Sequence, residues 1–254
     1  MTDGNNAMLS VRRLSLKYPN GKLALADLDL SVKAGELVIV LGSNGSGKTT
    51  LLRCLVRTLK PTDGEVWVSE TELTRLEGEK LRRARLELAM ISQHAALVKR
   101  RSVLANVATG SLGRHESWRT NLGGFPEHEL QAAQRHLGEV GLAELAGQRA
   151  GTLSGGQAQR VSIARALAQR PRVVLADEPV ASLDPEAAEE IMRLLRRLAV
   201  ESNLAVLCVL HQVALAYSYA DRIDGIRDGR KMFDEPPAGL PRESVRHLYM
   251  DRAA

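Results

Sequence analysis

The stretch Gly42, Ser43, Asn44, Gly45, Ser46, Gly47, Lys48, Thr49 has the form G-x-x-x-x-G-K-[ST], and nothing else in the chain restricts its fold as tightly. Before it, Glu36 to Leu41 is a nearly continuous apolar run that reads as a buried strand. After it, Thr50 to Leu59 has helical spacing and stops ahead of Pro61. A strand, a glycine-rich loop and a helix form an anion cradle. Glycines permit positive φ and close approach, so successive N–H groups can turn inward. The helix adds its positive end at the same place. Lys48 would reach the outer phosphates of a nucleotide, and the Thr49 hydroxyl suits Mg²⁺. A plain glycine-rich turn with an incidental lysine would not need both flanks, and both are present.

The rest of the chain arranges itself around that loop. Met1 to Ala7 reads as a flexible polar tail. Leu9 to Leu16 and Leu23 to Val32 read as alternating strands joined by a turn at Tyr18, Pro19, Asn20 and Gly21. A further strand is expected at Glu65 to Val68. Glu79 to Glu87 reads as a charged helix, and its basic run (Lys80, Arg82, Arg83, Arg85) as a solvated face. Leu88 to Ser92 reads as a buried strand followed by Gln93. Val98 to Leu112 and Glu127 to Leu145 then have helical patterns with no strand between them, and Gly113 to Pro126 links them. Further on, Gln157 to Gln169 and Glu186 to Glu201 read as helices. Arg172 to Ala176 and Leu204 to Leu210 read as buried strands, and a hairpin is expected around Asp228 and Gly229.

At 254 residues the chain is long enough for one large α/β domain carrying an insertion. Aromatic residues make up only 3%, so aliphatic packing must supply the core. The formal charge of +5 suits nucleotides, nucleic acid or an anionic membrane face, and does not choose among them. Cys54 and Cys208 sit in apolar segments, which points to buried thiols and a reducing compartment. Met1 to Met8 has no signal-peptide core. The longest apolar run, Leu204 to Leu210, falls far short of the ~20 residues that span a bilayer. A cytoplasmic chain is expected, with any membrane role arising through a partner.

Three apolar strands end in chemically useful residues: the P-loop itself, Asp177 with Glu178, and His211. In an open parallel sheet ligands bind at the carboxyl ends of the strands, so all three should face one crevice. A phosphate cradle, two carboxylates and an imidazole suggest hydrolysis of a Mg-nucleotide.

The P-loop, Gln93, the pentapeptide Leu153, Ser154, Gly155, Gly156, Gln157, then Asp177 and Glu178, Ser182 to Asp184, and His211 occur in an order that resembles the ATPase subunits of ABC transporters. Within that family the chain is most similar to the ATPase subunits of phosphonate importers. Ala176 to Pro185, Leu210 to Val213, Ser102 to Val107 with Gly110 to Gly113, and the Trp118, Arg119 pair carry that likeness. Ala214 stands where Asp is expected, and Val180 where Ile is commoner.

The resemblance implies an α/β P-loop NTPase fold. A RecA-like core with an antiparallel β subdomain would occupy residues 8–93 and 166–254, and an inserted all-helical subdomain residues 94–165. It implies ATP and Mg²⁺ as cofactors. The cradle would comprise Gly42, Ser43, Asn44, Gly45, Ser46, Gly47, Lys48, Thr49 and Thr50, with Tyr18 on the adenine. Tyr18 could equally be a turn tyrosine packed on a strand. Thr49, Gln93 and Asp177 would serve the metal; Glu178, His211 and Gln93 the reaction. Ser154, Gly155, Gly156, Gln157 and Asp184 would meet the nucleotide across a subunit dimer. Two identical copies are the simpler arrangement, and one copy with a paralogue is the other. Permease subunits in the membrane, an extracytoplasmic solute-binding protein acting indirectly, and the cytoplasmic face of the cell membrane follow from the same likeness. A nucleotide-driven clamp on nucleic acid or in protein assembly is the competing reading. One cassette, no inserted arm and no aromatic–basic surface pattern count against it.

Overall fold

The computed structural model describes residues 7–115 and 124–250. The strands are β1 (Ala7–Lys17), β2 (Leu23–Lys33), β3 (Leu37–Leu41), β4 (Asp63–Val68), β5 (Thr71–Glu72), β6 (Leu88–Ile91), β7 (Val173–Asp177), β8 (Ala205–Val209), β9 (Arg222–Arg227) and β10 (Arg230–Glu235). The helices are α1 (Lys48–Leu55), α2 (Gly78–Ala84), α3 (Val103–Ala108), α4 (Glu127–Glu139), α5 (Gly155–Ala168), α6 (Pro185–Glu201), α7 (Val213–Tyr219) and α8 (Arg242–His247).

The strands form two sheets. One is four-stranded and antiparallel in the order β2-β1-β4-β5. The other is six-stranded in the order β10-β9-β3-β8-β7-β6. In the second, β6, β7, β8, β3 and β9 are parallel, and β10 closes the edge as an antiparallel hairpin. A parallel sheet covered on both faces needs apolar residues at every position. Accordingly Leu37, Ile39 and Leu41 of β3 pack into one core with α5 and α6, while Val38 and Val40 pack into the other with β1, β2 and α1. The strand β7 divides the same way, Val174 and Ala176 against Val173 and Leu175.

Three expected helices are shorter than their hydrophobic spacing suggests. The helix after the P-loop ends at Leu55 rather than Leu59, because Arg57 takes φ 58. The N–H groups of Thr58 and Leu59 both fold back to Arg53 O, and the buried Arg57 guanidinium donates to Leu73 O at 3.0 Å. The helix expected from Val98 starts at Val103, capped by Ser102, whose hydroxyl accepts from Ala105 N at 3.1 Å. Residues before it wrap around the buried Asn106 side chain, which accepts from Val98 N at 2.7 Å and donates to Val98 O at 3.2 Å. The helix from Glu127 ends at Glu139, because Gly141 has φ 72, and a 3-10 turn at Ala143–Leu145 replaces its continuation.

Between β6 and β7 the described residues form helices, 3-10 segments and loops with no strand, and one isolated antiparallel bridge joins Ser102 to Arg149. The helix α5 runs unbroken through residue 165, so the division expected there falls inside a helix. Trp118, Arg119 and Met1 to Asn6 lie outside the described residues, and Ala7 already belongs to β1. Among the described residues no helix is long and apolar enough to cross a membrane.

Candidate active site

The glycine-rich loop is held from behind as well as by its own sequence. Gly47 has φ 110, and a Cβ there would lie 2.7 Å from Ala24 O, so only glycine fits both the backbone angle and the space. A Cβ on Gly42 would lie 2.3 Å from Ile226 O. The turn between β9 and β10 completes the support. Gly229 N donates to Ser46 O at 2.8 Å, and Gly229 O accepts from Ala26 N at 2.9 Å. Lys48 is 5% exposed, and its Nζ donates to Gly42 O at 2.7 Å and Ser43 O at 2.9 Å, closing the loop on itself. Burial pushes the Lys48 ammonium below its usual range, and the Glu178 and Asp177 carboxylates offset part of that shift. The first-turn N–H groups of α1, at Lys48, Thr49 and Thr50, have no intrahelical acceptor.

The loop forms the floor of a cleft of about 430 Å³, into which Tyr18, Asn44, Gly45, Thr49, Thr50 and Glu178 also open. The Tyr18 hydroxyl lies 3.2 Å from Thr50 Oγ1, while its ring packs against the core under β1. Tyr18 is thus both a packed turn residue and a cleft wall. Lys22, Leu23, Ala24, Asp228 and Gly229 line the same cleft, and the sequence reading did not mark them for the site. The Asp228–Gly229 pair was legible only as hairpin chemistry. Its contact with the P-loop joins segments far apart in the chain.

Strand order brings the other groups in. The strand β8 lies between β3 and β7, so Asp177 (paired with Val209) and His211 emerge beside the P-loop. Glu178 has φ 50, a strained angle for a non-glycine residue, held by its N–H donating to Val209 O at 3.1 Å. The carboxylate oxygen of Glu178 lies 2.6 Å from His211 Nε2, which donates to it. Burial, reinforced by Glu178, pushes the Asp177 carboxyl above the usual range, and Arg53, Lys48 and His211 counter the shift. Gln93 is exposed, two positions past the end of β6, and among the described residues does not line the cleft.

Four residues of the pentapeptide, Ser154 to Gln157, line a separate groove. Ser154 caps α5 in a reciprocal box: its hydroxyl accepts from Gln157 N at 3.2 Å, and the Gln157 side chain accepts from Ser154 N at 3.0 Å. Cβ atoms on Gly155 and Gly156 would come within 3.3 Å of Leu183 and Ala187, so the paired glycines let α5 approach the start of α6. Asp184 caps α6, accepting from Ala187 N at 2.9 Å, and lines one groove of about 360 Å³ with Ser154, Gly155, Gly156 and Gln157. This groove and the P-loop cleft share no lining residue.

The residues present fit a magnesium nucleotide. Ser46 Oγ is buried in the loop without a hydrogen-bond partner, the cradle admits no Cβ at Gly47, and Thr49 with Asp177 offers the oxygen donors that Mg²⁺ prefers. A sequence profile described as ABC transporter matches residues 25–181. The chain is 44% identical to the Phosphonates import ATP-binding protein PhnC of Wolinella succinogenes, over 95% of this chain and 88% of that protein. It is equally similar, at 44%, to the protein of that name from Shouchella clausii, over 95% of this chain and 91% of that one. The fold is similar to cbiO1 of Clostridium perfringens, part of an ABC transporter complex, with TM-score 0.81, 27% identity, and 96% and 99% of the two chains covered. It also matches an ATP-binding cassette solved as a dimer in a post-hydrolysis state with ADP and Pi, with TM-score 0.77, 31% identity, and 92% and 100% covered. The chain therefore belongs to the ABC transporter family, as one of its ATP-binding, ATP-hydrolysing subunits.

Proposed function

We propose that the chain powers uptake of phosphonates or related phosphorus oxyanions, coupling ATP binding and hydrolysis in a subunit dimer to transport. For hydrolysis, the observation that carries the reading is the Glu178–His211 pair, 2.6 Å apart, with Glu178 on the wall of the P-loop cleft. The names of the relatives support the substrate class.

The roles follow from position and chemistry. Lys48 and the free N–H groups at the start of α1 hold the β- and γ-phosphates. Thr49 and Asp177, with Gln93, would hold Mg²⁺, which when bound would neutralise developing charge on the phosphate oxygens. Glu178 orients and polarises the attacking water, and His211 fixes the Glu178 carboxylate and contacts the terminal phosphate. Tyr18 stacks on the base.

Ser154, Gly155, Gly156, Gln157 and Asp184 face a nucleotide held by a second copy, which is why they lie in a groove apart from the P-loop. ATP then favours the closed dimer by differential contacts, and moving such an equilibrium from 1:99 to 99:1 takes about 5.5 kcal/mol. Loss of the γ-phosphate reopens it. The helical unit of residues 94–165 docks under permease subunits at the cytoplasmic face of the cell membrane, chiefly through Ala95 to Asn106, and a solute-binding protein outside delivers the cargo.

Growth of a deletion strain on an alkylphosphonate as sole phosphorus source tests this reading. Growth should fail, return with the wild-type gene and stay absent with Lys48→Ala. Normal growth without the gene, in a strain with no redundant system, would remove phosphonate as the substrate and leave the ATPase in place.

A further inference from the structure

His115, His128 and Glu129 are remote in sequence from every nucleotide-binding motif, and the mechanism uses none of them. Among the described residues they are the one group of three imidazole, thiol or carboxylate ligands whose donor atoms lie within 4.8 Å of one another. His115 directly follows the 3-10 segment Thr109–Arg114, while His128 and Glu129 sit in the first turn of α4. Both imidazole Nε2 atoms converge on the same carboxylate oxygen, Glu129 Oε1, at 3.0 Å from His115 and 3.5 Å from His128. Tetrahedral Zn²⁺ with bonds of about 2.0–2.1 Å needs its donors about 3.3 Å apart, so a small adjustment suffices.

We propose that His115, His128 and Glu129 form a binding site for a borderline divalent metal ion of the Zn²⁺ class. Two imidazoles and one carboxylate select late first-row cations over Mg²⁺, which requires oxygen donors. The carboxylate is already oriented. Glu129 is 3% exposed, and Arg114 Nη2 donates to both of its oxygens, Oε2 at 3.1 Å and Oε1 at 3.2 Å, as outer-shell donors commonly orient metal-binding carboxylates. Arg114 and Glu129 together are neutral, and the two imidazoles supply neutral ligands. Two cations compete at Oε1: Arg114 Nη2, which can keep its bond to Oε2 alone, and Arg170 Nη2 at 3.5 Å, whose side chain is 58% exposed and can move into solvent. His128 is 66% exposed, so the ion has a way in, and water can complete the coordination. Bound metal would clip the chain before α4 to the first turn of α4 and so stiffen the helical unit.

The test uses the full chain without an affinity tag, titrated with Zn²⁺ against a chromophoric chelator in excess Mg²⁺. One Zn²⁺ per chain is expected, with a rise in melting temperature that EDTA reverses. His115→Ala and His128→Ala should each abolish stoichiometric binding while leaving the basal ATPase rate intact. Arg170→Gln should tighten binding several-fold, because it removes the more exposed of the two competitors for Oε1. A cluster that is only an ion-pair network predicts no Zn²⁺ uptake and no effect of Arg170→Gln on it. Absence of 1:1 binding in the wild type, or binding that survives loss of both histidines, would overturn the proposal. If His115→Ala does not fold, His128→Ala and Arg170→Gln still decide the matter.

Discussion

Glu178 bears the most demanding geometry in the chain. Its backbone is left-handed, and its side chain is tied to His211 across the top of the sheet. Such strain is tolerated where the surroundings over-determine a residue, and here β8 does so through Val209 O. Glu178→Gln should keep nucleotide affinity while lowering the hydrolysis rate by roughly 10²–10⁴-fold, the usual worth of a positioned acid–base group. A variant still turning over at the wild-type rate would remove Glu178 from the reaction. Lys48→Ala acts differently. It removes a buried ammonium that donates to two loop carbonyls, so both nucleotide affinity and turnover should fall. A nucleotide titration separates the two variants.

The elements that make the site are short, and each is held by a few polar contacts. The turn joining β9 and β10 is one of them. Gly229→Ala would put a Cβ 2.5 Å from Ala24 O at φ 73. The expected cost is about 1–3 kcal/mol, together with weaker ATP binding because the same turn supports Ser46. Denaturant melts with and without nucleotide would show both effects, and an unchanged ATP affinity would mean that the loop does not need this support.

The middle of β9 carries a pH dependence. Asp224 is fully buried, with Arg222 Nη1 3.7 Å from Oδ1, and burial, then the neighbouring Asp234, holds its carboxyl well above the usual range against the opposing pull of Lys231 and Arg222. The folded chain thus keeps a proton that the unfolded chain releases at about pH 4. The stabilisation this group gives is complete below that pH and is lost as pH rises through the folded value. Asp224→Asn should therefore melt above wild type at pH 8, with the gap closing as the pH approaches 4. A gap that is constant with pH would mean that Asp224 is charged in the fold.

At the scale of the whole molecule, the P-loop cleft and the groove lined by Ser154 to Gln157 and Asp184 occupy separate surfaces of one chain. A second copy brings them together in the proposed mechanism. Glu178→Gln in saturating Mg-ATP should therefore elute at twice the monomer mass, and Glu178→Gln combined with Ser154→Ala should shift back toward monomer. Ser154→Ala also loses a helix cap worth about 1 kcal/mol, so its melting curve must accompany the elution profile. A monomeric Glu178→Gln protein under those conditions would count against the closed dimer.

Much of this organisation was legible in the sequence, for reasons that differ by element. The strands β3, β7 and β8 could be read because strands covered on both faces are nearly continuous apolar runs. The turn at Ser182 to Asp184 could be placed because turn and cap chemistry is a local exchange of hydrogen bonds, here from Asp184 to Ala187 N. Helix ends were less legible. Apolar spacing continues past Leu55 and begins before Val103, but the long-range bonds of Arg57 and the side chain of Asn106 override it.

The sequence by itself determined the chemistry: the anion cradle at Gly42 to Thr49, the acids at Asp177 and Glu178, and the imidazole at His211, each at the end of an apolar run. Only the tertiary structure decided which of these meet. The sheet order places β8 between β3 and β7 and so sets His211 on Glu178 rather than elsewhere. It also presses the Gly229 turn and Ala24 against the loop and leaves Ser154 and Asp184 in a groove of their own. Local propensity acts over a few residues along the chain, whereas strand order and close packing join positions separated by hundreds.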